Sequence, residues 1–163
     1  MQTTLRAWKR PLLAGAGIAA FGIGAWASSR ELLAGTGGSS KAMGYERGVP
    51  VDLTVVQIDG KPVELRTAQL FARMRAAAKA AGVILRVVSG FRTMAEQETL
   101  YAAYLAGTGA QAARPGYSNH QSGRALDLNT RDPGVYAWLT AHAREFGFRR
   151  TVPSEIWHWE RSA

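Results

Sequence analysis

The chain has 163 residues, enough for one ordinary domain with a short appendage, and a hydrophobic content of 47% predicts a single packed core. Lys and Arg outnumber Asp and Glu by 20 to 12, and the net charge of +8 favours anionic surroundings such as nucleic acid, a membrane surface or an acidic polymer without choosing among them. The absence of cysteine excludes a disulfide framework and any metal site built on thiolates.

At the N-terminus, Arg6, Lys9 and Arg10 precede an uncharged, Ala/Gly-rich run over 11–27 that closes on Ala25-Trp26-Ala27. This is the layout of an export signal with a small-x-small cleavage pattern, and its 17 residues also reach the lower limit of a membrane span. Residues 1–27 are therefore read as a signal peptide or an N-terminal membrane anchor, which would place the protein in the periplasm or cell envelope, with anchoring to the inner membrane as the second option. Residues 28–44, including a Gly/Ser-rich stretch at 35–40, read as a flexible linker, and 45–163 as the folded domain.

Val51, Leu53 and Val55 alternate before Asp59-Gly60 and a second short run at 63–65, which predicts a hairpin. Thr67 is placed to cap a helix to about 81, with Leu70, Met74, Ala77 and Ala81 on one face and Gly82 ending it. Residues 83–88 read as a buried strand, Thr93 as the cap of a helix over 94–106, and 107–117 as a loop. A strand over 125–129, a helix opened by Asp132-Pro133 and reaching 146, and a last strand over 157–160 complete the pattern. Helices and strands are mixed without regular alternation, so the fold class is α+β.

The chemistry concentrates in two late segments that contain two of the chain's three histidines. A catalytic zinc needs three nitrogen or oxygen ligands, an open position for water, and a carboxylate near that water. His120, Asp127 and His158 supply the ligands, and Glu155 is left to act as the base. In a regular strand Glu155 and His158 would point to opposite faces, so the backbone must turn or bulge between them. Gly123 is expected to let the chain turn between His120 and Asp127.

Three blocks occur in order: Ser89-Gly90-Phe91-Arg92-Thr93 with Gln97 one turn further on, the segment from Ser118-Asn119-His120 through Gly123 and Ala125 to Asp127, and Glu155-Ile156-Trp157-His158-Trp159. Together they resemble the VanY-type D-alanyl-D-alanine carboxypeptidases and their endolysin relatives, whose blocks read S-G-F/Y-R-S/T, S-x-H-x-x-G-x-A-x-D and E-x-W-H-W. The resemblance spans about 83–160. It implies one Zn2+ per chain on His120, Asp127 and His158, Glu155 as general base, and Arg92 holding and polarising the substrate. It also implies a small antiparallel sheet flanked by helices, a fold shared with the hedgehog signalling domain, and peptidoglycan stem peptides as substrate. Two departures stand out: residues 147–154 form a shorter segment than in many relatives, and Ile156 stands where Pro is frequent.

Several residues have a second reading. Ser118 either hydrogen-bonds substrate or shapes its turn. Gln97 either faces the cleft or lies on a solvated face of its helix. Trp157 and Trp159 are expected to pack in the core around His158, with sugar stacking as the second reading, while His142 is expected at the surface and Arg114 and Arg124 as surface cations, with contact to an anionic polymer as their second reading.

Three function classes follow: a zinc D,D-peptidase, a zinc-bearing wall-binding module without catalysis, and a basic nucleic-acid-binding domain. The first is preferred. Within it, a carboxypeptidase and an endopeptidase or endolysin are both open. No nucleic-acid partner is expected, because the positive charge is the only feature in favour and an export signal opposes it. A monomer is expected.

Overall fold

The computed structural model describes residues 38–162, so the expected signal or anchor and most of the expected linker lie outside the described residues. Among the described residues no helix is long and apolar enough to cross a membrane. Strand β1 (Ser40–Glu46) already contains residues 40–44, so the ordered domain begins earlier than the boundary drawn at 45.

Strands β1, β2 (Val49–Ile58) and β3 (Lys61–Glu64) form an antiparallel meander in that order. Both hairpins use two-residue loops. Asp59-Gly60 has φ of 53° and 72°, and Arg47-Gly48 has 52° and 83°, the pair of positive values that matches strand twist in a tight hairpin. The first was expected from its Asp-Gly sequence. The second was not, because arginine is an unusual residue for a left-handed position.

The expected Val51, Leu53 and Val55 alternation is real, but its opposite face meets the core. Val56, Ile58 and Val63 join the main cluster, whereas the Leu53 side chain lies against Gly44 and Gly123. Helix α1 (Leu65–Ala80) follows directly, capped by Glu64 rather than Thr67: the Glu64 carboxylate accepts from the backbone N–H groups of Arg66 and Thr67, both at 2.9 Å. The buried stripe of α1 is Thr67, Ala68, Phe71, Ala72, Met74 and Ala78, rotated from the expected Leu70, Met74, Ala77 and Ala81. Gly82, at φ 77°, ends the helix as expected.

The second sheet has the order β4-β5-β7-β6 and is antiparallel throughout. Its members are β4 (Val87–Ser89), β5 (Ala125–Leu128), β6 (Phe148–Arg149) and β7 (His158–Arg161). Strand β4 is shorter than the expected 83–88, and burial alternates along that segment, with Leu85 and Val87 inside and Ile84 and Val88 exposed. Strand β6 was not expected, since two residues carry no periodic signal.

Helix α2 (Met94–Leu105) opens with a capping box in which Thr93 Oγ1 accepts from Glu96 N and the Glu96 carboxylate accepts from Thr93 N at 2.8 Å. Helix α3 (Val135–His142) runs into a 3-10 turn, Ala143–Phe146. Gly134 precedes α3, and Asp132, the expected cap, instead pairs with Arg86 and accepts from Asn129 Nδ2 at 2.9 Å.

Val87, Leu126, Leu128, Phe148 and Trp159 of the second sheet, with Leu85 just before it, pack against Phe71 and Met74 of α1 and Val135 and Leu139 of α3 in one core. With its sheets antiparallel and its helices packed on them, the molecule is α+β.

Thr67 is fully buried and links this core to the loop before β5. Its hydroxyl donates to Gly123 O at 2.6 Å and accepts from Arg161 Nε at 3.0 Å. Replacing Thr67→Val keeps the shape and removes both bonds, leaving a buried carbonyl without a donor. Urea unfolding should show a loss of about 1–3 kcal/mol.

Candidate active site

Strand register aligns the first functional side chains. Ser89 stands opposite Asp127, and Asp127 stands opposite His158, so one row crosses β4, β5 and β7 on the face away from the core. Directly opposed residues of antiparallel strands share a face, and this brings the Asp127 carboxylate beside the His158 ring without any loop intervening. Asp127 Oδ1 lies 3.2 Å from His158 Nδ1.

His120 arrives from the loop before β5. Asn119 O accepts from both Arg124 N and Ala125 N at 3.0 Å, which docks that loop on the start of the strand. Gly123 makes the return: its φ is 70°, and a Cβ there would sit 2.5 Å from Glu64 Cβ. The expected turn between His120 and Asp127 is thus made at Gly123. Ser118 Oγ accepts from His120 N at 3.3 Å, so Ser118 shapes this turn and is itself buried.

The ring nitrogens are assigned by their partners. His120 Nδ1 lies 2.7 Å from Gly90 O, which can only accept, so Nδ1 carries a proton, and Nε2 is turned toward Asp127 Oδ1 at 3.4 Å. Gly90 can approach so closely because it has no side chain; a Cβ there would meet Pro62 O at 2.3 Å. His158 is arranged the other way. Its Nε2 lies 2.9 Å from Glu160 Oε1, which turns Nδ1 inward.

One ligand atom from each of His120, Asp127 and His158 lies within 4.8 Å of the others. Ligands of a tetrahedral zinc bound at about 2.1 Å stand about 3.4 Å apart, so this set fits a divalent cation after small side-chain movements. Two imidazole lone pairs and one carboxylate are also the donor chemistry that zinc takes in catalytic sites.

The electrostatics point the same way. Burial opposes charge on Asp127, yet hydrogen bonds from His120 and His158 hold its carboxyl well below the usual range. Burial likewise opposes charge on Glu160, but bonds from His158, Thr151 and Asn119 bring it down to about 2. Burial also disfavours charge on His158, but Asp127 and Glu160 outweigh it and raise the ring to about 9. Two ionised carboxylates, Asp127 and Glu160, thus flank the His158 ring.

Glu155 and Arg92 complete the rim. The chain does turn between Glu155 and His158: Glu155 N donates to Val152 O at 3.1 Å, His158 N donates to Glu155 O at 3.2 Å, and β7 begins only at His158. This puts Glu155 Oε2 3.8 Å from His158 Nδ1, with its side chain 33% exposed. Arg92 N donates to His120 O at 3.2 Å, and its Nη1 donates to Gln97 Oε1 at 2.9 Å. Gln97 is fully buried and donates from Nε2 to Ala113 O at 2.7 Å, so it braces the guanidinium rather than lying on a solvated face. Burial lowers the Arg92 pKa, while Asp127, Glu96 and Glu155 work to raise it, and an arginine stays charged under such conditions.

Trp159 is buried as expected, but Trp157 is 37% exposed and outside the core, because the turn before β7 carries it outward. His142 is at the surface as expected, paired with Glu145 at 3.0 Å. Sequence reading missed Glu160. Its signal was available: a carboxylate two residues beyond a ligand in a strand lies on the ligand's face.

An antiparallel α+β domain with a His/Asp/His cluster, a neighbouring carboxylate and a braced arginine has the parts of a hydrolytic centre. Residues 61–160 match the VanY family, described as D-alanyl-D-alanine carboxypeptidase, and the chain belongs to that family. It is 32% identical over 130 residues to a D-alanyl-D-alanine carboxypeptidase of Enterococcus faecalis, covering 62% of this chain and 48% of the relative. The chain thus spans about half the length of that relative. A solved structure of a variant of the vancomycin resistance D,D-pentapeptidase VanY from a VanB-type resistance cassette, in complex with Zn(II), is similar with a TM-score of 0.58 and 27% identity, covering 73% of this chain and 86% of that one. VanYB in complex with D-alanine-D-alanine is similar with a TM-score of 0.59 and 27% identity, covering 73% and 84%.

If the cluster is a cation site, calorimetric titration of the metal-free protein should give one zinc per chain. His120→Ala or Asp127→Ala should weaken binding by at least about 100-fold, since losing a ligand costs more than losing an outer hydrogen-bond partner.

Proposed function

We propose that this chain is a zinc-dependent D-alanyl-D-alanine carboxypeptidase that trims the terminal D-Ala from peptidoglycan stem peptides outside the cytoplasm. The observation that carries this reading is the convergence of His120, Asp127 and His158 donor atoms within 4.8 Å, with Glu155 beside them. Family membership and the likeness to structures holding Zn(II) and D-alanine-D-alanine support it.

His120 Nε2, Asp127 Oδ1 and His158 Nδ1 would hold the zinc. When bound, zinc supplies a water of lowered pKa and polarises the scissile carbonyl. Glu155 takes the proton from the attacking water and delivers it to the leaving amine. Its position on a turn, a third exposed, gives its carboxylate access to both. Arg92 binds the anionic oxygens of the substrate, for which a planar, permanently charged fork suits the terminal carboxylate. Gln97 contributes through Arg92, whose Nη1 it fixes, and Ser118 through the turn that presents His120. A groove of about 480 Å³ adjoins Arg92, bounded by Lys61, Val88 and Leu100, and offers room for more of the peptide.

The direct test is incubation of the zinc-loaded protein with a synthetic pentapeptide ending in D-Ala-D-Ala, read by mass analysis. Loss of one terminal alanine is expected. Cleavage further inside would instead mark an endopeptidase, and no product at all would refute the peptidase reading. Glu155→Gln should lower kcat by roughly 10²–10⁴ with zinc affinity retained, as expected for a base that is not a ligand.

A further inference from the structure

Glu160 has a geometry that its neighbours do not require for the fold alone. Alternation along β7 places it on the same face as His158 and opposite Ala125, whose small side chain leaves the carboxylate room. Its Oε1 accepts from His158 Nε2 at 2.9 Å and from Asn119 Nδ2 at 2.8 Å. Asn119 immediately precedes His120, and its own carbonyl is fixed by Arg124 N and Ala125 N. The single carboxylate oxygen therefore joins the ligand on β7 to the loop that carries the ligand from the other segment. Thr151, from the short segment over 147–154, adds a further side-chain hydrogen bond.

We infer that Glu160, braced by Asn119, is a positioning residue that orients the His158 ring with Nδ1 toward the metal cluster and couples the two ligand-bearing segments of the site. An imidazole can rotate about its Cβ–Cγ bond, and Asp127 alone does not select which nitrogen faces inward, because either one can donate to a carboxylate. The Glu160 partner selects Nε2 as the outward donor and leaves Nδ1 for the cation. A carboxylate so placed also raises the basicity of the ligand it holds. Asn119 prevents the Glu160 side chain from swinging away, and the energy of that restraint reaches His158 through one oxygen.

The inference rests on the zinc-site reading, and its test reads metal binding without substrate. Zinc affinity would be measured by chelator competition for the unaltered protein, Glu160→Gln, Asn119→Ala and the double variant, alongside thermal unfolding of each metal-free form. Glu160→Gln should bind zinc roughly 10- to 100-fold more weakly, and Asn119→Ala roughly tenfold more weakly. The double variant should be no weaker than Glu160→Gln by more than about threefold, because both changes act on one oxygen. Long-range proton–nitrogen NMR of the zinc-loaded protein should show His158 protonated at Nε2, and a mixture of ring states once Glu160 is replaced. Asn119 is exposed, so its variant carries the test even if Glu160→Gln does not fold. Zinc affinities within about threefold of the unaltered protein, with only thermal stability reduced, would overturn the inference and leave Glu160 a brace of the sheet. Losses that multiply in the double variant would overturn the coupling. An unaltered protein that takes up no zinc would sink the site reading itself, a failure visible before any variant is made.

Discussion

The site depends on the pairing register of β5 with β7. Asp127 opposite His158 is a property of the backbone ladder, held by hydrogen bonds along both strands and by Leu126, Leu128 and Trp159 packed on the opposite face. A slip of one residue would turn Asp127 into the core and Leu126 or Leu128 out of it, exchanging a charged group for an apolar one on both faces. Burial of the leucines and of Trp159 thus enforces the proximity of carboxylate and imidazole. The pair is specified by the same alternation that specifies the core, and that is why Asp127 and His158 can lie 31 positions apart in sequence yet 3.2 Å apart in space.

His120, the third member of the cluster, has no strand to hold it and is secured by a set of backbone contacts instead. His120 is pinned from three sides: its ring by Gly90 O, its carbonyl by Arg92 N, and its N–H by Ser118 Oγ. The Ser89-Gly90-Phe91-Arg92 segment consequently serves two ends at once. Its glycine carbonyl orients the His120 ring while its arginine stands at the rim. Gly90 reaches this place because Phe91 N donates to Pro62 O at 2.7 Å, which ties the segment to β3. Thr67 then fixes Gly123 from below, so the three-stranded meander and α1 act as a foundation for the loop although they contribute no ligand.

The residues that converge, His120, Asp127, His158, Glu155 and Arg92, were legible in the sequence because the chemistry sought there restricts the residue types and their spacing recurs as blocks. The turn at Gly123 and the break before His158 were legible for a geometric reason: strand alternation alone forbids Glu155 and His158 from sharing a face. Other features were hidden. The core face of β2 was not legible, because Val51, Leu53 and Val55 alternate as well as Val56 and Ile58 do, and sequence periodicity gives two faces without saying which one is covered. Thr67 looked like a helix cap because threonine favours caps. Glu64 took that position, and Thr67 was spent on a carbonyl 56 residues away, a contact no local pattern reveals. Trp157 was placed inside because it flanks a buried ligand, but it lies on the turn and the turn points outward. Glu160 was overlooked although alternation from His158 placed it on the site's face.

Three carboxylates stand within this small site, and their surroundings separate their tasks. Asp127 is on a strand, faces both imidazoles, and is held ionised by them. Glu160 is nearly buried, with a side chain 11% exposed, and its hydrogen bonds to His158 and Asn119 leave it nothing to offer a substrate. Glu155 differs from both. It sits on a turn rather than a strand, its side chain is three times as exposed as that of Glu160, and His158 Nδ1 lies 3.8 Å from it, too long for a hydrogen bond. A group that must accept a proton and release it within one catalytic cycle cannot be saturated by permanent donors, since each such bond would hold it in the ionised form. Of the three, Glu155 alone meets that condition. The break in β7 is what provides it, because a continued strand would have turned this residue to the face occupied by Trp159.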